Sequence, residues 1–84
     1  MVSLKWSSDA LEDLQSIDVV IARRIVAKAK WLEENFPAIV PERLTQELKG
    51  LYKLRVGDYR IIYSVHGEPI IIQAVGNRRD IYKK

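Results

Sequence analysis

Between Leu51 and Tyr63 the chain reads LYKLRVGDYRIIY, with apolar and polar residues alternating on both sides of Gly57-Asp58. Such alternation specifies two strands joined by a two-residue turn, and glycine at the first turn position favours the type II′ form. A slip of one residue would exchange the whole core set for the solvent set, so the register is tightly constrained. Val56 then faces Tyr59 across the hairpin, and Arg55 faces Arg60. Tyr52, Leu54, Val56, Tyr59, Ile61 and Tyr63 share one face, which must meet a core. Lys53, Arg55 and Arg60 share the other. Two arginines directly opposite each other repel, and such pairs destabilise a sheet. A small domain that keeps such a pair has a use for it.

The rest of the chain supplies the cover for that core face. VSLKW alternates briefly and reads as an opening strand. Ser7 or Ser8 suits a helix N-cap, with Asp9, Glu12 and Asp13 in the first turns. Ala10, Leu11, Leu14 and Ile17 form the apolar stripe of a first short helix. Asp18 caps a second, longer helix with Ile21, Ile25, Leu32 and Phe36 at helical spacing and Ala22 and Ala29 beside them. Pro37 ends it, because the residue before a proline resists helical geometry. Pro41 to Leu48 reads as a short helical turn or loop. After the hairpin, HGEP makes a turn and IIIQAV (Ile70 to Val75) makes a last strand, whose continuous apolar run suggests burial on both faces. The fold class is α+β: an N-terminal strand and a two-helix hairpin packed on an antiparallel β-sheet, one domain over residues 1–84.

If the HGEP turn sets Val65 opposite Ile70, regular pairing puts Ile62 opposite Gln73 and Arg60 opposite Val75. Ser64 and Gln73 then join the face of Lys53, Arg55 and Arg60. Arg78, Arg79 and Tyr82 follow the last strand and rim that surface. The charge is unevenly spread. The chain carries +3 overall, but Lys49 to Lys84 holds eight basic against three acidic side chains, and the first 48 residues are net acidic. A face that is merely soluble mixes both signs. A one-signed face suits an anion.

Other chemistries find little support. The chain has no cysteine, hence no disulfide framework and no thiolate metal site, which fits a reducing cytosol. No His/Cys/Asp/Glu cluster has metal-ligand spacing, and no metal or other cofactor is expected. Gly50, Gly57, Gly67 and Gly76 form no phosphate-loop pattern. His66, the only histidine, sits in a turn, and Ser64 has no histidine beside it for a hydrolase triad. Trp6 and Trp31 read as core. No signal peptide is visible, and no apolar run approaches a membrane span.

The blocks LKGLYKLRVGDYRIIYSV and IIIQAVGNRRDIYKK, preceded by WSSDALEDLQSI and a long helix, resemble the RelE/ParE superfamily of toxin–antitoxin proteins, and its RelE branch most. The resemblance covers in effect the whole chain. It implies a ribosome-dependent mRNA endonuclease that cuts codons in the A site: the 2′-hydroxyl attacks the neighbouring phosphate and the 5′-oxygen leaves. In that family basic residues of the sheet face and a tyrosine near the C-terminus do the work. The matching positions are Lys53, Arg55, Arg60, Arg78 and Tyr82, with Lys49, Gln73, Arg79 and Lys83 as RNA contacts. Arginine keeps its proton, so Arg55 and Arg60 stabilise phosphate charge and Lys53 is the one candidate base, its protonated form disfavoured by its two neighbours. Tyr82 would stack on a base. Asn77 stands where many relatives carry lysine or histidine, and the segment from Arg78 to Tyr82 is shorter than in some members. The implied partners are a small acidic antitoxin protein, the ribosome and mRNA, with DNA reached only through the antitoxin. The ParE branch, which poisons DNA gyrase, shares the YR and RRD features. A basic module that binds RNA or protein without chemistry is the third reading.

Overall fold

The computed structural model describes residues 3–38, 42–43, 50–65 and 69–77. Within them lie five strands and two helices: β1 (Leu4–Trp6), α1 (Ser8–Gln15), α2 (Val19–Asn35), β2 (Glu42–Arg43), β3 (Leu51–Val56), β4 (Tyr59–Val65) and β5 (Ile70–Asn77). One sheet holds all the strands in the order β1-β5-β4-β3-β2. The meander β3-β4-β5 is antiparallel, as its alternation requires. β1 joins the far side of β5 in parallel, with Leu4 level with Ile70 and Trp6 with Ile72. The sheet is therefore mixed.

Local chemistry sets the helix ends. Ser7 caps α1: its Oγ accepts the Ala10 N–H at 3.1 Å. Asp18 caps α2 by accepting the Val20 N–H at 3.1 Å. The long helix stops at Asn35, and a single 3-10 turn, Phe36–Ala38, takes the chain past Pro37. Ile25, Ala29 and Leu32, one buried stripe of α2, meet Ala10 of α1 and the inner face of β4 and β5: Ile61, Tyr63, Ile70, Ile72 and Val75. Tyr52 extends this core onto β3, its ring stacked on Tyr63 at 5.6 Å. Each buried aliphatic side chain contributes about 1.5–3 kcal/mol, so this layer holds the helices on the sheet.

Besides the parallel β1, which makes mixed a sheet read as antiparallel, the structure departs from the sequence reading at five places. The strand buried on both faces is β4, where Ile61, Ile62, Tyr63 and Ser64 are all buried, because β4 is the middle of five. In β5 only Ile70, Ile72 and Val75 are buried. The last strand runs two residues further than expected, to Asn77. Within the segment read as a turn or loop, Glu42 and Arg43 add a short edge strand to β3. Leu11, read as part of the apolar stripe of α1, and Trp31, read as core, are both exposed on their helices. Trp31 carries the Lys28 ammonium over its ring, 3.9 Å from the centroid. Lastly, β4 and β5 do not pair regularly. A bulge between Ile62 and Tyr63 leaves Gln73 without a partner, so Ile62 faces Ala74 and Arg60 faces Gly76. The reason is the spacing of the core residues of β5. Ile70 and Ile72 are two apart, but Val75 follows after three, and only an extra residue keeps all three on the buried side. Among the described residues no helix is long and apolar enough to cross a membrane.

Candidate functional site

The hairpin turn forms as its sequence requires. Gly57 has φ +60°, and no described non-glycine residue has a positive φ, which is the type II′ pattern. The pairing Arg55↔Arg60 and Lys53↔Ile62 follows. The sheet face turned away from the helices is then ordered in rows. One row runs Arg55, Arg60, Gly76 across β3, β4 and β5. The next runs Lys53, Ile62, Ala74, with Glu42 of β2 at the register position beside Lys53. A third runs Leu51, Ser64, Ile71.

The rows differ in character. Arg55 is exposed and Arg60 and Lys53 are half-buried, whereas Ile62 and Ser64 are almost fully buried at 5% and 3% exposure. The face is thus not uniformly wet: cationic groups surround an apolar middle. Gln73, the bulged residue, does join this face, although not opposite Ile62. Its Nε2 donates to Ser64 Oγ at 2.9 Å. This bond satisfies the buried hydroxyl, and among the described residues no buried side-chain polar atom lacks a partner.

Lys53, Arg55, Arg60 and Gln73 are therefore brought to one face. Lys49, Arg78, Arg79, Tyr82 and Lys83 lie outside the described residues, as does His66. Sequence reasoning missed Gly76 and Ala74. The bulge sets these two small residues, in place of Val75 and Gln73, level with Arg60 and Ile62. The signal was present as the uneven spacing of Ile70, Ile72 and Val75.

Three cationic side chains around small residues can hold a phosphodiester. The two guanidiniums can stabilise negative charge on its oxygens in a fixed geometry but cannot accept a proton. The lysine amine is the one group of the three that can. Among the described residues no three His, Cys, Asp or Glu residues lie close enough to hold a metal ion. A groove of about 180 Å³ lies on the other side of the hairpin turn, lined by Ile21, Arg24, Val56, Gly57, Asp58 and Tyr59. It shares no side chain with the basic face.

Residues 4–82 match the family model described as "ParE toxin of type II toxin-antitoxin system, parDE". A "Putative RelE-like toxin protein" of Escherichia coli is 33% identical over 85 residues, which span 94% of this chain and 87% of that protein. The toxin–antitoxin complex RelBE2 of Mycobacterium tuberculosis contains a chain that is 29% identical with a TM-score of 0.79, covering 95% of this chain and 97% of that one. The chromosomal ParDE system of P. aeruginosa contains one that is 22% identical with a TM-score of 0.77, covering 92% and 96%, a likeness of fold alone.

Proposed function

The chain belongs to the RelE/ParE superfamily, the toxins of type II toxin–antitoxin systems, and from that premise we propose that it is a ribosome-dependent mRNA endonuclease. The observation that carries this reading is the register that brings Lys53, Arg55 and Arg60 onto one face. Lys53, in its neutral form, takes the proton of the 2′-hydroxyl. The 2′-oxygen attacks the adjacent phosphorus, Arg55 and Arg60 hold the charge that builds on the phosphoryl oxygens, and the bond to the 5′-oxygen breaks, leaving a 2′,3′-cyclic phosphate and a 5′-oxygen that takes a proton from water to become a hydroxyl. Arg78 clamps the phosphate or the leaving oxygen, and Tyr82 stacks on a base and orients the 2′-hydroxyl. Lys49, Gln73, Arg79 and Lys83 contact RNA. Neither a metal nor an organic cofactor enters this scheme.

The ribosome presents the codon in the A site, so isolated mRNA is a poor substrate. The partner is an acidic antitoxin, as the RelBE2 neighbour is a toxin–antitoxin complex. It covers the basic face, and DNA is reached only through it.

The test is cell-free translation with the purified protein, followed by primer extension on the mRNA with and without ribosomes. Cuts within A-site codons that need ribosomes and disappear with Lys53→Met are the expected result, with the melting temperature of the variant close to the parent's. Cleavage at full rate by Lys53→Met removes Lys53 from the mechanism. One observation favours a second reading: the family model that matches is named for ParE. A gyrase poison leaves mRNA intact and traps cleaved DNA in a gyrase assay, so the same protein preparation decides between the two.

A further inference from the structure

The parallel pairing of β1 with β5 ends at Trp6 and Ile72. Past that point no described strand lies beside the outer edge of β5, and the residues there are the ones that run level with the arginines. Groups from the helical half take over. The Ser7 N–H donates to the Ile72 carbonyl at 3.0 Å, and Ser7 Oγ donates to the Gln73 carbonyl at 3.2 Å. Next, the Val75 N–H donates to Asp13 Oδ2 at 3.1 Å, a contact that spans 62 residues of sequence. Gly76, the residue after Val75, faces Arg60.

We infer that Asp13 is a positioning residue for the basic site. From α1 it holds the free edge of β5 at Val75, and so fixes the height of the Gly76 backbone against Arg60, without itself touching RNA. The Val75 side chain already faces the core, at 2% exposure. Burial sets the phase of the strand but leaves its edge free to shift and fray. The carboxylate supplies a charged acceptor to the Val75 amide on the outer edge of β5, and hydrogen bonds to charged groups are among the stronger kind. Covering an open strand edge is the simpler role, and the experiment separates the two.

This inference rests on the nuclease reading. The assay is single-turnover cleavage of mRNA on saturating programmed ribosomes, well below the melting temperature, for the parent, Asp13→Ala and Asp13→Asn, together with hydrogen exchange of the Val75 amide. Asparagine keeps an acceptor for Val75; alanine does not. Asp13→Ala should cut roughly tenfold more slowly with unchanged ribosome affinity, on the scale of one lost hydrogen bond to a charged group. It should also lose protection at Val75, and Asp13→Asn should restore part of both, since its amide oxygen accepts the same bond without the charge. A fast Asp13→Ala with an unprotected Val75 amide shows that the contact only covers an edge, and overturns the inference. Equal slowing in both variants assigns the effect to the charge and overturns it too. Should Asp13→Ala not fold, Asp13→Glu replaces it, since it keeps the charge but displaces the acceptor by one methylene; slower cleavage is again expected, and an unchanged rate is again fatal. A parent protein that cuts nothing on ribosomes refutes the nuclease reading itself, in a lane separate from those that judge Asp13.

Discussion

Deleting Gln73 should leave the fold standing. In most strands the loss of one residue inverts every side chain beyond it. Here the deleted residue is the one the bulge accommodates. Ile70, Ile72 and Val75 would then alternate regularly, and Val75 and Gly76 would keep their partners Ile61 and Arg60. What is lost is the bond from Gln73 Nε2 to Ser64 Oγ, at a hydroxyl with 3% exposure. An unsatisfied buried hydroxyl costs about 1–3 kcal/mol. The Ser7 hydroxyl keeps an acceptor, since the carbonyl of Ala74 moves into the vacated place. A domain of this length has a stability of about 4–13 kcal/mol, so the variant remains folded. In urea, with a slope of about 1 kcal/mol/M, the midpoint should fall by about 1–3 M at unchanged slope. Inserting an alanine after Ala74 is the control. It drives Val75 out of the core and Gly76 into it, and so adds the loss of a buried valine, about 1.5–3 kcal/mol, to a disrupted ladder. A deletion variant that is unfolded, or less stable than the insertion variant, refutes the account of the bulge.

Two further substitutions probe the elements that frame the site. Gly57→Ala meets no atom within 4 Å of its new Cβ, so only the backbone strain at φ +60° is felt; a loss of about 1–2 kcal/mol, or roughly 4–16 °C in melting temperature, is expected by calorimetry. Asp18→Ala removes the N-cap of α2 and should cost about 1 kcal/mol in urea denaturation, with Asp18→Asn within a few tenths of the parent.

The hairpin was legible because its determinants are local. A two-residue turn with glycine in its first position and six alternating core residues around it admit one register, and the structure adopts it. Both helix caps were legible for the same reason: Ser7 and Asp18 each bond an amide two or three residues away. What could not be read locally depends on partners far along the chain. The place of β1 rests on pairing Leu4 with Ile70, a contact that no spacing within VSLKW announces. Regular alternation through IIIQAV set Val75 opposite Arg60, and a single bulge undid that beyond Ile72. The clue was one extra residue between Ile72 and Val75, and it has meaning only once Ile70 and Val75 are known to face the same core. Trp31 misled through its size. It precedes the buried Leu32 by one residue, some 100° around the helix, and there its ring lies under Lys28 instead of in the core.

Fold likeness does not separate the two activities of this superfamily. The RelBE2 and ParDE neighbours superpose on the chain almost equally well, with TM-scores of 0.79 and 0.77. The physical reason is that one face of the sheet builds the fold. Ile61, Tyr63, Ile70, Ile72 and Val75 meet the helices, and any sequence that keeps them keeps the architecture. The other face is free to take on chemistry, within the limit that the middle strand remains buried there at Ile62 and Ser64. A like-charged pair directly across a hairpin is destabilising on the scale of a cross-strand pair, up to about 1 kcal/mol. Nothing in the core requires Arg55 and Arg60 to face each other, since the turn and the apolar set fix the register whatever occupies those two positions. On the proposed nuclease reading, an anion lying between them would relieve that repulsion and so favour the bound state over the free one. On that reading this difference, and not the shape of the sheet, would set a face that acts on phosphate apart from one that only completes a fold.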